Sequence, residues 1–322
     1  MNNPNGVRMS TSLTFLAGAR HRLNLTIRGN VLVRRILFEG SRAIGVEAES
    51  GGDIFNIESD QIVLSAGAVA SPHILMLSGV GSAEHLTSKG IEVVRDTPGV
   101  GQNLRDHPLV AIRAKTKEDF PLDPNAPRMQ TLLRYTATGS KDRNDIQIFP
   151  SSFSTPLGGD PYAEEGIRLT CMLELAEGSG EITLTTTDPS VQPDINCHYL
   201  ERPRDRERLR EAVQIGIGIL KHPSFENIVE SLIEPTEKDL ESDDALDEWM
   251  LNHVWIGQHL SGTCKMGPDS DPMAVVDQRG KVHGIDGLRV ADASIKPDCN
   301  RANTNFTTIM IGERVADWIA NS

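Results

Sequence analysis

The sequence predicts a mixed α/β and α+β fold, in which a parallel sheet and a β-meander share the chain with a separate antiparallel sheet. Three observations lead to this prediction. A continuous apolar run over Gln61–Ser65 is followed by a glycine turn and a helical pattern, which is typical of a parallel α/β layer. Short apolar runs separated by Gly-containing turns precede it, and strand patterns dominate residues 110–200.

The β-meander is predicted over residues 23–57, where β-branched and apolar runs are divided by turns at Gly29–Asn30, Glu39–Gly40 and Gly51–Gly52. Its runs are Leu23–Ile27, Val31–Val33, Ile36–Phe38, Ala43–Glu49 and Asp53–Ile57.

The parallel layer begins at Gln61–Ser65, a strand expected to be buried on both faces because it is mostly apolar. A tight turn at Ala66–Ala68 leads into a helix predicted over Ser71–Ser78. The Gly- and Pro-rich stretch Pro98–Pro108 is then expected to form an ordered loop.

The middle of the chain predicts an antiparallel sheet with helices on one side. Its clearest strands are Asp145–Pro150, Arg168–Leu175 and Gly180–Thr185. A helix is predicted over Asp205–Lys221, because four apolar residues recur there at helical spacing: Leu209, Val213, Ile217 and Leu220. Acidic Glu237–Asp247 is expected to be a solvated surface with a helix start, and Thr307–Ala320 is predicted to be the last helix.

Composition narrows the class of protein. Among 322 residues, 32 are Lys or Arg and 45 are Asp or Glu, so the formal net charge is −13. No basic stripe is present for nucleic acid, and the longest apolar run, Ile215–Leu220, is far too short to span a bilayer. The four cysteines lack zinc or disulfide spacing, so we expect a cytoplasmic protein without a metal site: Cys171, Cys197, Cys264 and Cys299.

The candidate catalytic residues lie in two Gly- and Asx-rich turns near the C-terminus. Trp255–Gly267 contains His259, and Asn303 lies just before the last helix. Oxidation of an alcohol needs a general base for the hydroxyl proton and a donor for the resulting alkoxide, together with a cofactor that accepts hydride. His259 suits the first role because its unperturbed pKa is near neutrality, and Asn303 suits the second.

Other interpretations of these residues stay open from spacing alone. His259 could be a hydrogen-bonded loop histidine, with His107 and His253 as rival bases, and Asn303 could be a helix N-cap. A serine hydrolase would use Ser261 or Ser294, but no G-x-S-x-G turn surrounds either residue.

Four blocks of the chain carry a family resemblance. Gly67–Gly81 resembles, position by position, the second signature of the glucose–methanol–choline (GMC) oxidoreductases. Pro98–His107, the His259–Gly267 and Gly287–Ser294 region, and Asn303–Asp317 resemble later blocks of that family in the same order.

The resemblance implies FAD as cofactor and a role for each matched position. It places His259 at the family's catalytic base and Asn303 at a second polar position that is either His or Asn. Cofactor contacts are implied for Gly67, for Val33 near the adenine, for Asp292 and Ala293 near the flavin and pyrophosphate, and for Asn305 at the polar edge of the flavin ring. Gly67 could equally serve a tight turn, and Asn103 and His107 are expected to shape a loop.

The N-terminal part of this sequence differs from that of the family. Family members begin with a strand, a G-x-G-x-x-G turn and a helix that hold the FAD diphosphate, and this sequence has no such unit. We therefore expect an incomplete FAD-binding domain, weak FAD binding by the chain alone, and an uncovered edge beside Gln61–Ser65. We also expect that the chain associates with itself through this edge, or that a second chain supplies the missing segment.

The sequence thus predicts three regions and two functional hypotheses. Residues 1–109 form the first part of the FAD-binding domain, 110–250 an inserted substrate domain, and 251–322 the remaining FAD-binding part with the catalytic residues. The first hypothesis is FAD-dependent oxidation of the CH–OH group of a small or medium alcohol. The second is a catalytically silent remnant that binds a partner or ligand.

Overall fold

The structure, a computed structural model, describes residues 4–120, 122–123, 129–152 and 166–321. Its strands are β1 (Leu32–Glu39), β2 (Arg42–Ser50), β3 (Asp53–Glu58), β4 (Ile62–Leu64), β5 (Val80–Gly81), β6 (Arg95–Asp96), β7 (Leu109–Thr116), β8 (Leu133–Tyr135), β9 (Ile146–Ser151), β10 (Ile167–Leu173), β11 (Glu181–Thr183), β12 (Asp194–Asn196), β13 (Val229–Glu234) and β14 (Leu288–Val290). Its α-helices are α1 (Ala17–Ala19), α2 (Gly67–Leu77), α3 (Ala83–Ser88), α4 (Pro203–Leu220), α5 (Asp243–His253) and α6 (Asn305–Ala320). None of the helices in these ranges is long and apolar enough to cross a membrane.

The strands form separate sheets, as the predicted mixed fold class requires. Strands β1, β2 and β3 form an antiparallel meander, and β14 pairs with β4 in parallel. The largest sheet has the order β13-β7-β10-β9-β8 and is antiparallel throughout. The expected combination of a parallel layer, a meander and an antiparallel sheet is therefore confirmed.

The meander differs from its prediction in two places. Val31 lies just before β1, and the rest of Val31–Val33 falls with Ile36–Phe38 in that one strand. Its pairing with β2 continues across a register shift between Val33 and Arg35. The predicted strand Leu23–Ile27 is wrong: this stretch forms no strand, and Leu23 is fully exposed. Among the described residues, no strand pairs with this stretch.

Helix α2 begins at Gly67, earlier than the predicted Ser71, although Pro72 lies inside it. A proline has no N–H, so the carbonyl of Ala68 four residues earlier loses its helical partner. The hydroxyl of Thr263 donates to that carbonyl at 2.6 Å. A residue from the C-terminal block therefore completes the helix and fixes it against the His259 segment.

Two apolar cores hold these elements. The first joins β1, β4, α2 and β14 with chain segments after residue 260, and it includes Ile182 and Leu184 from the middle of the chain. The second lies between the antiparallel sheet and helices α4 and α5. The four predicted apolar residues of α4 are all buried in it: Leu209, Val213, Ile217 and Leu220. The boundaries predicted at 109 and 250 stay a prediction.

Strand β4 shows where the first part of the molecule is open. Ile62 and Leu64 are buried, but Val63 between them is 40% exposed, so the expected burial on both faces is wrong. Alternate side chains of a strand project to opposite faces, so the face with Val63 is left partly open while the face with Ile62 and Leu64 is covered. Residues 4–30 likewise contain no buried residue, and in α6 only Val315 is buried.

Candidate active site

The segment that carries His259 is a loop held by a buried carboxylate. One oxygen of Asp106 accepts a hydrogen bond from the backbone N–H of His259 at 2.7 Å, and the other accepts from Gly257 at 2.9 Å. A Cβ atom on Gly257 would lie 2.4 Å from the carbonyl oxygen of His107, so only glycine allows this close approach. The Asp106–His107 loop and the His259 loop are therefore packed backbone to backbone.

His259 meets Asn303 directly. The Nε2 atom of His259 lies 3.0 Å from Nδ2 of Asn303, although the two residues are 44 positions apart. Thr304, not Asn303, occupies the cap position of α6. The helix-cap interpretation of Asn303 therefore has no support, because its side chain points to an imidazole.

The electrostatic surroundings keep His259 neutral. Burial lowers its pKa from the ordinary value of 6.5, the nearby Lys296 ammonium lowers the pKa further, and Asp106 acts in the opposite direction. A neutral imidazole has a free lone pair on one ring nitrogen, which is what a proton acceptor needs.

A second imidazole lies behind the first. Nδ1 of His107 is 2.9 Å from Nδ1 of His259, and the two rings meet edge to face with centroids 4.8 Å apart. His107 is completely buried, and burial lowers its pKa to about 3. The loop-shaping role expected for His107 is incomplete, because this side chain also contacts the candidate base. No spacing signal reveals that contact, since 152 residues separate the pair.

The loop that presents Asn303 has its own internal support. The side chain of Asn300 donates to the carbonyl oxygens of Ala302 at 2.8 Å and Asn303 at 3.4 Å. The buried ammonium of Lys296 in turn donates to Oδ1 of Asn300 at 2.9 Å. Sequence reasoning missed Asp106, Asn300 and Lys296, because each acts through residues distant in sequence or through backbone atoms.

The predicted cofactor residues Gly67, Asp292 and Ala293 lie together at the carboxyl ends of β4 and β14. Asp292, which is buried, accepts from the backbone N–H of Gly67 at 2.9 Å and from the hydroxyl of Ser71 at 2.5 Å. Ala293 connects this edge to the His259 loop, because its carbonyl accepts from the N–H of Gly262 at 3.1 Å. Gly67 has a φ of 87°, and the space where its Cβ would lie is open.

Val33 and Asn305 are not joined to these groups by hydrogen bonds among the described residues. Val33 lies in β1 opposite Ala48, and Asn305 is exposed at the start of α6. The contacts thus bring together five of the seven predicted residues in two linked clusters: His259 with Asn303, and Gly67 with Asp292 and Ala293.

The rival chemistries have little structural support. Ser261 and Ser294 are completely buried, so neither hydroxyl is open to a substrate. His253 stacks on Trp249 and bonds to its carbonyl oxygen, away from Asn303. Within the described ranges, no three His, Cys, Asp or Glu side chains are grouped to hold a metal ion.

Comparison with known proteins identifies the family of this chain. Two family models described as GMC oxidoreductase match residues 1–109 and 176–312. The chain is 37% identical to a GMC-type oxidoreductase of Rhodococcus erythropolis over 309 residues, which cover 96% of this chain and 59% of that protein. It is 36% identical to the oxygen-dependent choline dehydrogenase of Escherichia coli O6:K15:H31, covering 98% of this chain and 61% of that protein.

A solved structure gives the same result. The crystal structure of pyridoxine 4-oxidase from Mesorbium loti superimposes with a TM-score of 0.90 at 26% identity, covering 100% of this chain and 64% of the other. Formate oxidase shows the same fold with a TM-score of 0.83 at 24% identity. The chain spans 59–64% of the length of these four proteins. It belongs to the GMC oxidoreductases, a family of FAD-dependent oxidoreductases.

Proposed function

We propose that this chain is the larger part of an enzyme that oxidises the CH–OH group of a small or medium alcohol to an aldehyde or ketone. The observation that carries the proposal is the 3.0 Å approach of His259 Nε2 to Asn303 Nδ2. A substrate hydroxyl inserted between them would donate its proton to the imidazole and accept a hydrogen bond from the amide. Proton removal and alkoxide stabilisation therefore act on the same oxygen.

The roles of the two side chains follow from their surroundings. His259 takes the hydroxyl proton on Nε2, and burial assists because it lowers the pKa and keeps the imidazole neutral at pH 7. Asn303 donates to the forming alkoxide, and Asn300 and Lys296 hold its loop in place. FAD, when bound, supplies the acceptor for the hydride that leaves the substrate carbon.

The residues present fit an FAD at the carboxyl edge of the parallel strands. Nucleotides bind at that edge of α/β sheets, near helix N-termini that favour phosphate. Gly67 begins α2 there with open space above it, and Asp292 and Ala293 begin the short turn after β14. We assign these three residues, with Val33 and Asn305, to the cofactor side of the site.

The exposed apolar surface points to a missing partner for this cofactor side. Val63 lies on β4, Phe306 and Met310 lie on α6, and all three are at least 40% exposed. The relatives are longer than this chain, and the chain covers 61% of the choline dehydrogenase. We propose that the part of the family sequence not matched here packs on this surface, and that without it the chain associates with itself along β4.

The compartment is also part of the proposal. All four cysteines are free, and Cys171, Cys264 and Cys299 are buried. This usage is compatible with the reducing cytoplasm, where we place the protein.

The test requires the chain joined to an N-terminal FAD-binding segment of the family. Mixing with a panel of alcohols without oxygen, in a stopped-flow instrument, should bleach the flavin absorbance. His259→Ala should slow this reduction by roughly two to four orders of magnitude, the scale of a general base. His253→Ala removes a partly exposed histidine outside the site and should leave the rate within a factor of two or so.

The outcomes separate the two functional hypotheses. A loss below tenfold in His259→Ala, with FAD still bound, removes His259 from the role of base. If the joined protein binds FAD and no alcohol reduces it, the chain is a silent remnant that keeps the fold for binding.

A further inference from the structure

We propose that His107 is a positioning residue, which together with the backbone carbonyl of Asn300 holds His259 in the tautomer with its proton on Nδ1 and a free lone pair on Nε2. The meaning of this tautomer for catalysis depends on the proposed function. The assignment itself depends only on hydrogen-bond geometry in this chain.

Nε2 of His107 is at the buried end of this series of contacts. This atom lies 2.9 Å from the carbonyl oxygen of Asn300, which has no proton to donate. A lone pair on Nε2 would face the lone pairs of that oxygen. Nε2 of His107 therefore carries a proton and donates it to Asn300.

The other neighbours of this nitrogen are compatible with the same assignment. The Cys299 sulfur lies 3.1 Å away and can accept from Nε2, since its own S–H has the carbonyl oxygen of His259 as an acceptor at 3.9 Å. One carboxyl oxygen of Glu174 lies 3.3 Å away and can also accept. Burial raises the pKa of Glu174 to about 7 and lowers that of His107, so the two do not form an ion pair at neutral pH.

The proton on His259 is determined by its contact with His107. A neutral imidazole has one protonated nitrogen, so Nδ1 of His107 has a lone pair. That lone pair faces Nδ1 of His259 at 2.9 Å, and two lone pairs at this distance would repel. Nδ1 of His259 therefore donates to His107.

The other ring nitrogen of His259 faces Asn303. With its proton on Nδ1, His259 has a free lone pair on Nε2, which faces the amide of Asn303 at 3.0 Å. The amide consequently presents its N–H side to the imidazole. Three hydrogen bonds thus point in one direction, from Asn303 to His259, His107 and finally Asn300, and the nitrogen that should take the substrate proton is ready to accept it.

The direct test is nuclear magnetic resonance of the histidine ring nitrogens in the 322-residue chain. Nitrogen shifts distinguish protonated from bare ring nitrogens, and His259 should show the Nδ1–H tautomer at neutral pH. An Nε2–H tautomer for His259 in the unmodified chain overturns the proposal, whatever the variants show.

Two matched variants test the part played by His107. His107→Leu removes the acceptor, so His259 should lose its single tautomer and populate Nε2–H. His107→Asn places an amide oxygen close to the former Nδ1 and should restore Nδ1–H. Ring signals of His73 and His283, which lie outside this network, report whether each variant is folded. A folded His107→Leu with an unchanged His259 tautomer overturns the role of His107.

A second measurement separates this inference from the proposed function. In the joined enzyme, His107→Leu should lower the rate of flavin reduction roughly 10- to 100-fold, the scale on which partners that orient a histidine act, with unchanged substrate KM and FAD content. His107→Asn should recover most of the rate. If no alcohol is oxidised while His259 shows the Nδ1–H tautomer, the proposed function fails and the tautomer assignment stands.

Discussion

Two parts of this molecule each contain an amphipathic helix, but the apolar residues of the two helices are covered very differently. Met250 in α5 is completely buried against the antiparallel sheet, whereas Met310 in α6 is 50% exposed. The contrast extends to the strands, since Ile112 of β7 is fully buried and Val63 of β4 is 40% exposed. Among the described residues, the apolar side chains between the antiparallel sheet and helices α4 and α5 are covered, whereas β4 and α6 leave apolar surface exposed. His259 and Asn303 lie where the two parts meet.

The largest expected effect is on hydrogen exchange of the backbone in the 322-residue chain. The amides of β7 and β10 are paired inside a covered sheet and should be protected roughly 10³-fold or more. Residues 4–30, with no buried residue, should exchange almost as fast as a free peptide. Strong protection of residues 4–30 at low protein concentration would contradict the contrast, and joining the FAD-binding segment should create such protection.

The methionine pair tests the same contrast by mutation. Met250→Ala leaves a cavity in a packed core and should lower the free energy of unfolding by about 2–5 kcal/mol. Met310→Ala removes a half-exposed side chain and should stay within about 0.5 kcal/mol. Chemical denaturation of both variants measures the difference. Equal losses would mean that α6 is packed in solution, and a larger Met310→Ala loss in the joined enzyme would show what covers it.

Substitutions of Asn303, which lies between the two parts, test its catalytic role in the joined enzyme. Asn303→Asp has no N–H to offer and repels the forming negative charge, so flavin reduction should fall by roughly 10²-fold or more, as for a lost oxyanion donor. Asn303→His should keep appreciable activity, because the family resemblance allows His or Asn at this position. Stopped-flow reduction of both variants decides the assignment: near-normal rates for Asp and His alike exclude a catalytic role.

The smallest expected effect is a displacement of the pH profile. Burial lowers the pKa of His259 below 6.5, and the base acts in its neutral form. The rate of flavin reduction should therefore be constant at neutral and alkaline pH and fall as the pH drops below 6.5. Lys296→Gln removes a nearby cation that also lowers this pKa, so the midpoint should move upward. A profile that falls toward alkaline pH, or an unmoved midpoint in the variant, would contradict this account of His259.

The sequence alone determined the features that depend on local pattern. The apolar spacing in Asp205–Lys221 correctly predicted α4, and the blocks around Gly67, His259 and Asn303 identified the family. Such signals are readable because helix periodicity and turn residues act within a few positions along the chain.

Only the tertiary structure decided which distant groups meet. The contact between His107 and His259 joins loops 152 residues apart, and Thr263 completes α2 at Ala68 across 195 positions. The burial of individual side chains could not be predicted from the sequence either. Gln61–Ser65 reads as a strand covered on both faces, yet Val63 is exposed because coverage depends on neighbouring elements rather than on the strand's own residues.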